Sequence, residues 1–156
     1  MLPAHLPAVH ALGKRVHAAY PERPEIAAER LLLAPDWCRV LIGEGGVVGY
    51  MLAHPWRLGA PPPLDTLIHA LPPQPDTLYL HDIVIDPARR GRGEARAGLS
   101  ALFAEAEKSY PSVSLISIGG LTSFWETCGF GVGGAEASAD VLRSYDADAR
   151  YMVKFF

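Results

Sequence analysis

Residues 78–102, LYLHDIVIDPARRGRGEARAGLSAL, limit what this chain can fold into more than any other stretch. An apolar run suited to a strand ends at Asp86-Pro87. An arginine-glycine loop follows, and a helix begins on it, with the apolar stripe Ala95, Leu99, Leu102, Phe103 and Ala106 at helical spacing. Arg89, Arg90, Arg92 and Arg96 concentrate positive charge in a chain whose formal net charge is −3. Gly91 and Gly93 remove side chains where the helix opens. A helix N-terminus has unpaired N–H donors and the positive end of the helix dipole, so this loop is suited to hold a phosphate.

The flanking segments predict the rest of the architecture. Leu6, Val9, Leu12 and Val16 follow a helical period over residues 3–19, which Pro21 and Pro24 close. A second short helix is expected over residues 25–33. CRVLIGEGGVVGYMLAHP reads as two strands joined by a glycine-rich turn, a hairpin. Residues 78–85 form the next strand, 113–118 another, 121–128 a short helix closed by Gly129, and 130–132 the start of a strand. The small-residue stretch GGAEASAD then leads to a final strand near residues 150–156. This order predicts an α+β fold: a mixed, mostly antiparallel sheet flanked by helices, with one parallel crossover around the arginine-glycine helix.

Residues 55–75 hold seven of the fourteen prolines. Their middle, LDTLIHAL, has the length for two helical turns. A loop this long in a small domain serves either a function or as a stiff surface insertion.

A chain of 156 residues suits one domain, residues 1–156, with a sizeable core. The basic cluster is one short loop and not a face, so no nucleic-acid partner is expected. No apolar run has the length of a bilayer span and none follows a basic leader, so neither a membrane partner nor a signal peptide is expected. Cys38 and Cys128 lie far apart and are expected to be free thiols in a cytoplasmic setting. No Cys or His pair has metal-ligand spacing, and no metal is expected. GRGEARAG has glycines like those of a dinucleotide fingerprint. However, five residues separate it from the strand, and the following strand carries no acid, which argues against a Rossmann site.

The segment Val84-Ile85-Asp86-Pro87-Ala88-Arg89-Arg90-Gly91-Arg92-Gly93-Glu94-Ala95 resembles the acetyl-CoA signature of the GNAT superfamily of N-acetyltransferases, R/Q-x-x-G-x-G/A opening a helix after a strand. Arg90, Gly93 and Ala95 fill its fixed positions. Downstream, Phe124-Trp125-Glu126-Thr127-Cys128-Gly129-Phe130 resembles the family's aromatic pair followed by Gly-Phe. The resemblance spans most of the chain and implies acetyl-CoA as cosubstrate. Its pyrophosphate would be ringed by the backbone of Arg90, Gly91, Arg92, Gly93, Glu94 and Ala95. The strand end Ile83, Val84 and Ile85 would splay from its neighbour, bind the pantetheine arm and supply an oxyanion donor. Phe124 and Trp125 would flank the coenzyme. The family usually has a strand before its first helix; here only Met1-Leu2 precede Pro3, so that strand is expected to be missing or truncated.

A primary amine resembles lysine, with a pKa near about 10.4, and has to lose a proton before it attacks a thioester. His81 is the candidate base. Two and four residues before Ile83 and Ile85, it shares their face of a regular strand. Its ordinary pKa of about 6.5 leaves it able to accept a proton at neutral pH. Arylalkylamine-acetylating members of the family are similar here, with histidine on the same strand; Tyr79 occupies their other histidine position. A buried histidine bonded only to a carbonyl is the competing explanation. Asp82 is expected on the opposite face, orienting a neighbour or capping a loop.

Two positions depart from the family pattern. Trp125 stands where tyrosine often protonates the departing thiolate, and an indole is no acid. Gly119 stands where asparagine often bonds the pantetheine. Cys128 and Tyr145 are conceivable replacement acids. The expected acceptor is a small-molecule amine, in a pocket walled by the first helix, the proline-rich loop with Trp56 and Leu67, and the strand near His81. A homodimer remains open. Competing readings are a non-catalytic acyl-CoA-binding protein, a protein N-acetyltransferase and, more remotely, a dinucleotide-binding protein.

Overall fold

In the computed structural model, which describes residues 1–133 and 135–156, a 3₁₀ turn at Pro3–His5 runs into helix α1, Leu6–Val16, and α2 spans Pro24–Leu33. Pro24 is the first residue of α2, where its missing N–H costs nothing. Strands β1 (Cys38–Gly43), β2 (Gly46–Trp56) and β3 (Thr77–Ile85) form an antiparallel meander. Helix α3, Glu94–Ala106, crosses over to β4, Ser112–Ser117; then come α4 (Thr122–Thr127), β5 (Gly131–Val132), α5 (Ala139–Tyr145) and β6 (Arg150–Phe155). The sheet order is β1-β2-β3-β4-β6-β5, with β3 and β4 the parallel pair. Among the described residues no strand precedes α1; the Met1 ammonium donates to Cys38 O at 2.7 Å.

The sheet buries both faces. On one, Leu99, Leu102 and Ala106 of α3 meet Met51, Ala53, Leu78, Leu80 and Trp125. On the other, Val9 and Leu12 of α1 and Leu31 of α2 meet Tyr50, Leu52 and Val84. The sequence-based outline therefore holds, with α5 added. Ser138 caps that helix by accepting from Asp140 N, a signal hidden in the small-residue stretch, whose residue 134 lies outside the described residues.

Two irregularities position the site. First, β2 and β3 pair through Leu52↔Asp82 and then Ala53↔Leu80, so His81 is the extra residue of a β-bulge. The bulge breaks the strand's alternation. His81 packs near Tyr79 and His54, while Asp82 bonds Tyr50, so both face α1 and α2. Ile83 turns the other way, into the α3 core. The parity argument that paired His81 with Ile83, and put Asp82 on the opposite face, is thereby overturned.

Second, β3 and β4 pair only at Leu78↔Val113 and Tyr79↔Ser114, whereas β4 stays paired with β6 to Ser117. A buried hydroxyl cluster of Thr77, Ser112 and Ser114 pins the closed end, with Thr77 Oγ1 donating to Ser112 O at 3.2 Å. Beyond it the two halves of the sheet part, leaving the backbone edge of residues 80–85 without a strand partner on that side.

The proline-rich loop, residues 57–76, forms no helix, contrary to the expected two turns. Its N–H groups go to carboxylates instead. Glu29 of α2 accepts from Ile68 N at 2.8 Å and His69 N at 2.9 Å, and Glu22 accepts from Asp65 N at 3.2 Å. Asp65 and His69 take positive φ (55° and 61°), which no helix allows. Arg30, fully buried, holds the arrangement by pairing with Glu29 and donating to Thr66 O at 2.9 Å. Arg30→Ala is expected to lower stability by about 3 kcal/mol, because Glu29 is left without its countercharge in a largely buried place. A urea titration of the variant checks this; an unchanged midpoint would show that the loop anchors itself.

Candidate active site

The loop between β3 and α3 forms a cradle of N–H groups. Asp86 Oδ1 accepts from Ala88 N at 3.0 Å, starting a 3₁₀ turn at Pro87–Arg89. The N–H groups of Gly91, Arg92 and Gly93 have no acceptor among the described residues, and the first turn of α3 adds its own orphan donors. Gly93 is the N-cap in the left-handed region (φ 77°), and a Cβ there would meet nothing within 4 Å. Glu94 puts a carboxylate at the cradle's edge, but Arg89 Nε donates to it at 3.1 Å and neutralises it. The guanidinium holds the Glu94 carboxyl below the usual carboxylate range, against a smaller opposing effect of burial.

The cradle opens into a groove of about 520 Å³. Every residue expected to bind the coenzyme lines it: Ile83, Val84, Ile85, Arg90, Gly91, Arg92, Gly93, Glu94, Ala95, Phe124 and Trp125. Arg96 ties the far wall to α3, stacking 5.6 Å from the Phe124 ring centre and donating to Thr127 Oγ1 at 2.7 Å. Trp125 is buried edge-on against Phe130. The groove's other end reaches residues absent from the sequence-based site, Val16 and His17 at the end of α1.

A second cavity, about 230 Å³, opens between α1, α2 and β2. Among the described residues, His17 alone lines both spaces. Its Nε2 lies 3.0 Å from Asp82 Oδ1, and Tyr50 Oη donates to Asp82 Oδ2 at 2.6 Å. Gly13 is what lets Tyr50 rise between α1 and the sheet: a Cβ there would come within 2.6 Å of Tyr50 Oη. The Asp82 bond raises the His17 pKa above its ordinary value; burial and Arg90 oppose this, and the charges of Asp82 and Glu22 add to it.

Glu22, in the turn after α1, is the second carboxylate of this cavity. Its Oε2 lies 3.0 Å from His81 Nε2. Burial would raise the Glu22 pKa, but His81, the Asp65 N–H and Arg30 outweigh it and hold the carboxyl below its usual range. His81 itself lies behind Glu22, with a side chain only 3% exposed, and lines neither space. Its Nδ1 is buried without a partner, as is His54 Nε2. Burial pushes His54 down to about 3, so it is neutral at pH 7.

The expected cavity walls need correction. The first helix and the strand near His81 contribute, the latter through Asp82, but Trp56 and Leu67 do not. Trp56 donates to Ala60 O at 2.6 Å and packs with Tyr79 and Tyr151. The proline-rich loop acts from behind, through its bond to Glu22. Neither conceivable replacement acid lines the groove. Tyr145 donates to Pro62 O at 3.0 Å and is pushed up to about 12 by burial, and Cys128 packs against the core. Both cysteines are free, and burial pushes the Cys38 thiol up to about 11.

A parted β3–β4 pair, a glycine cradle at the start of the crossover helix and an aromatic pair on the opposite wall make one groove. Residues 10–130 match the profile of the acetyltransferase (GNAT) family. The chain belongs to the GNAT acetyltransferase family. No curated protein sequence matches it. Solved structures share its fold at low identity. GphF, a GNAT-like decarboxylase in complex with isobutyryl-CoA, aligns with a TM-score of 0.80 at 20% identity, covering 99% of this chain and 96% of that one. Ard1 from Thermoplasma volcanium aligns at 0.73 and 15%, covering 99% and 93%. The ribosomal-protein-S18-alanine N-acetyltransferase from Escherichia coli aligns at 0.66 and 19%, covering 99% and 90%. Among such GNAT proteins the acceptor varies, and the fold does not choose it. Among the described residues of this GNAT protein, no helix is long and apolar enough to cross a membrane.

Proposed function

We propose that the protein transfers the acetyl group of acetyl-CoA to the primary amine of a small molecule by direct attack. The observation that carries this reading is the meeting of two spaces at His17, a long groove with a phosphate cradle at its far end and a small cavity with two carboxylates. In it, the N–H groups of Gly91, Arg92 and Gly93 and the first turn of α3 hold the pyrophosphate, with Arg90 and Arg92 adding charge. The free edge of Ile83, Val84 and Ile85 bonds the pantetheine arm, and one of its N–H groups polarises the thioester carbonyl. Phe124 and Trp125 form the opposite wall.

The second cavity supports the acceptor class. Its volume of about 230 Å³ suits a small amine. Glu22 attracts an ammonium and takes its proton; Asp82 is occupied by His17 and Tyr50, and Arg23 of the same lining is paired with Asp65. His81, with its hydrogen on Nε2, donates to the Glu22 carboxylate and so holds it ionised, and Glu22 passes the amine's proton on to solvent. His81 so acts through Glu22, as the donor that keeps its carboxylate ionised, rather than by touching the acceptor. The amine's freed electron pair then attacks the carbonyl carbon.

A thiol-release assay with acetyl-CoA across a panel of small primary amines, against N-terminal peptides, tests this. The reading expects at least one small amine to raise thiol release well above hydrolysis. Tight acetyl-CoA binding with no amine-dependent release would favour an acyl-CoA-binding protein, and stimulation by peptides alone would move the acceptor to proteins.

A further inference from the structure

We propose that His17 protonates the departing coenzyme A thiolate, the task that Trp125 leaves open. This rests on reading the groove as the acyl-CoA site, and it goes beyond that reading by assigning an acid that neither the aromatic wall nor the signature loop supplies. A thioester carbonyl has to be reached from the acceptor cavity while its sulfur stays in the coenzyme groove, so the reacting bond belongs at their junction. Among the described residues His17 alone belongs to both linings.

Its surroundings suit an acid. Asp82 of β3 holds Nε2 at 3.0 Å, and Tyr50 of β2 fixes Asp82 from its other oxygen at 2.6 Å. Nδ1 has no partner among the described residues and the side chain is 26% exposed, so in the imidazolium the Nδ1–H is left to donate. The charged groups around it are Asp82, Glu22 in the turn after α1, and Arg90 of the cradle, with Lys14 and His10 on its own helix. The two carboxylates favour the imidazolium and Arg90 opposes it. A pyrophosphate on the cradle offsets Arg90 and removes that opposition.

The atoms balance. As the amine nitrogen bonds the carbonyl carbon, the C–S bond breaks and its electron pair stays on sulfur. His17 Nδ1 gives its proton to that sulfur, yielding the free thiol. The amine loses two protons: the first, taken from the ammonium by Glu22, passes to solvent before attack, and the second goes to the regenerated Glu22 carboxylate as the amide forms. His17, now neutral, regains a proton from solvent through its exposed edge before the next turnover.

The test needs no acceptor. Coenzyme A itself is the probe, and its thiolate absorbance is followed with pH as a difference against the complex with desulfo-coenzyme A. In the wild type the bound thiol is expected to ionise at a lower pH than that of free coenzyme A, because the imidazolium favours the thiolate. In His17→Gln that midpoint should rise by about one unit or more, the usual reach of one adjacent charge. Coenzyme A affinity should change little. Asp82→Asn gives a second variant: by nuclear magnetic resonance the His17 imidazole should titrate at a lower pH than in the wild type, and the bound thiol midpoint should lie between the other two. With any amine the enzyme accepts, His17→Gln should lower kcat while leaving KM for acetyl-CoA unchanged, and should remove the decline of kcat at high pH. Equal thiol midpoints in wild type and His17→Gln, with coenzyme A bound to both, would overturn the assignment and leave the groove reading intact. Failure of coenzyme A to bind at all would overturn the groove reading and this proposal with it.

Discussion

Gly93→Glu is expected to abolish useful coenzyme A binding, weakening it about 10²–10³-fold, since like charges juxtaposed at a binding interface cost several kcal/mol and each 1.4 kcal/mol is about tenfold. The change places a carboxylate where the cradle's N–H groups point. The cost to the fold is separate and smaller. Gly93 has φ 77°, where a side chain costs about 1–2 kcal/mol, but the space beyond its Cβ is open. Gly93→Asn separates the two effects, because asparagine tolerates the left-handed region and carries no charge. Calorimetry with coenzyme A should therefore rank wild type above Gly93→Asn and both far above Gly93→Glu, while their melting temperatures stay close. Unchanged affinity in Gly93→Glu would move the phosphate site elsewhere.

Glu22→Gln is expected to lower kcat/KM by about 10²–10⁴-fold, the usual contribution of one proton-transfer group. The loss should depend on pH in a defined direction. Glu22 is held below the usual carboxylate range, so in the wild type it is ionised and ready throughout neutral pH. A bound ammonium can then be used as such, and kcat/KM stays flat from mildly acidic pH until His17 loses its proton. Without the carboxylate only free amine reacts. Free amine becomes about tenfold more abundant per pH unit below a pKa of about 10.4. The defect should be largest at low pH and should close as pH rises. His81→Ala should show the same pattern in weaker form, since Glu22 keeps its Asp65 N–H bond but loses the neighbour that holds its carboxyl ionised. A pH-independent ratio of either variant to wild type would mean that the pair only shapes the cavity.

The same Glu22 carboxyl links activity to stability. Its folded pKa is depressed, so its contribution is present above the ordinary carboxylate range and is lost as pH falls through the folded value. His17 runs the other way. Its raised pKa makes the Asp82 pair stabilising below about 6.5, and that contribution is lost as pH rises through the raised value.

Much of the groove proposed for the coenzyme was legible because it is made by consecutive residues. Proline after the strand, glycines at the helix start and the aromatic pair before Gly-Phe each reflect a local backbone demand, and local demands leave local marks. The cavity proposed for the acceptor was not legible for the opposite reason. Glu22 lies in a proline-bounded turn with no periodicity, and His17 at a helix end reads as an ordinary polar terminus. Their meaning comes from Asp82 and His81, some 60 residues on. The bulge at His81 was the decisive loss: nothing in LYLHDIVI announces an extra residue, yet it reverses which side chains share a face. The proline-rich loop failed for a related cause. LDTLIHAL has helical composition, but Glu29 and Glu22 offer its N–H groups acceptors that a helix would otherwise supply.

The central claim is that the cradle and His17 mark the two ends of one acetyl-CoA site. A crystal structure with coenzyme A bound tests it most directly. The pyrophosphate is expected on the N–H groups of Gly91, Arg92 and Gly93, the pantetheine along Ile83, Val84 and Ile85, and the sulfur beside His17 at the mouth of the cavity that holds Glu22. A sulfur placed away from His17 would contradict the chemistry proposed at the junction, and a pyrophosphate bound outside residues 90–95 would contradict the account as a whole.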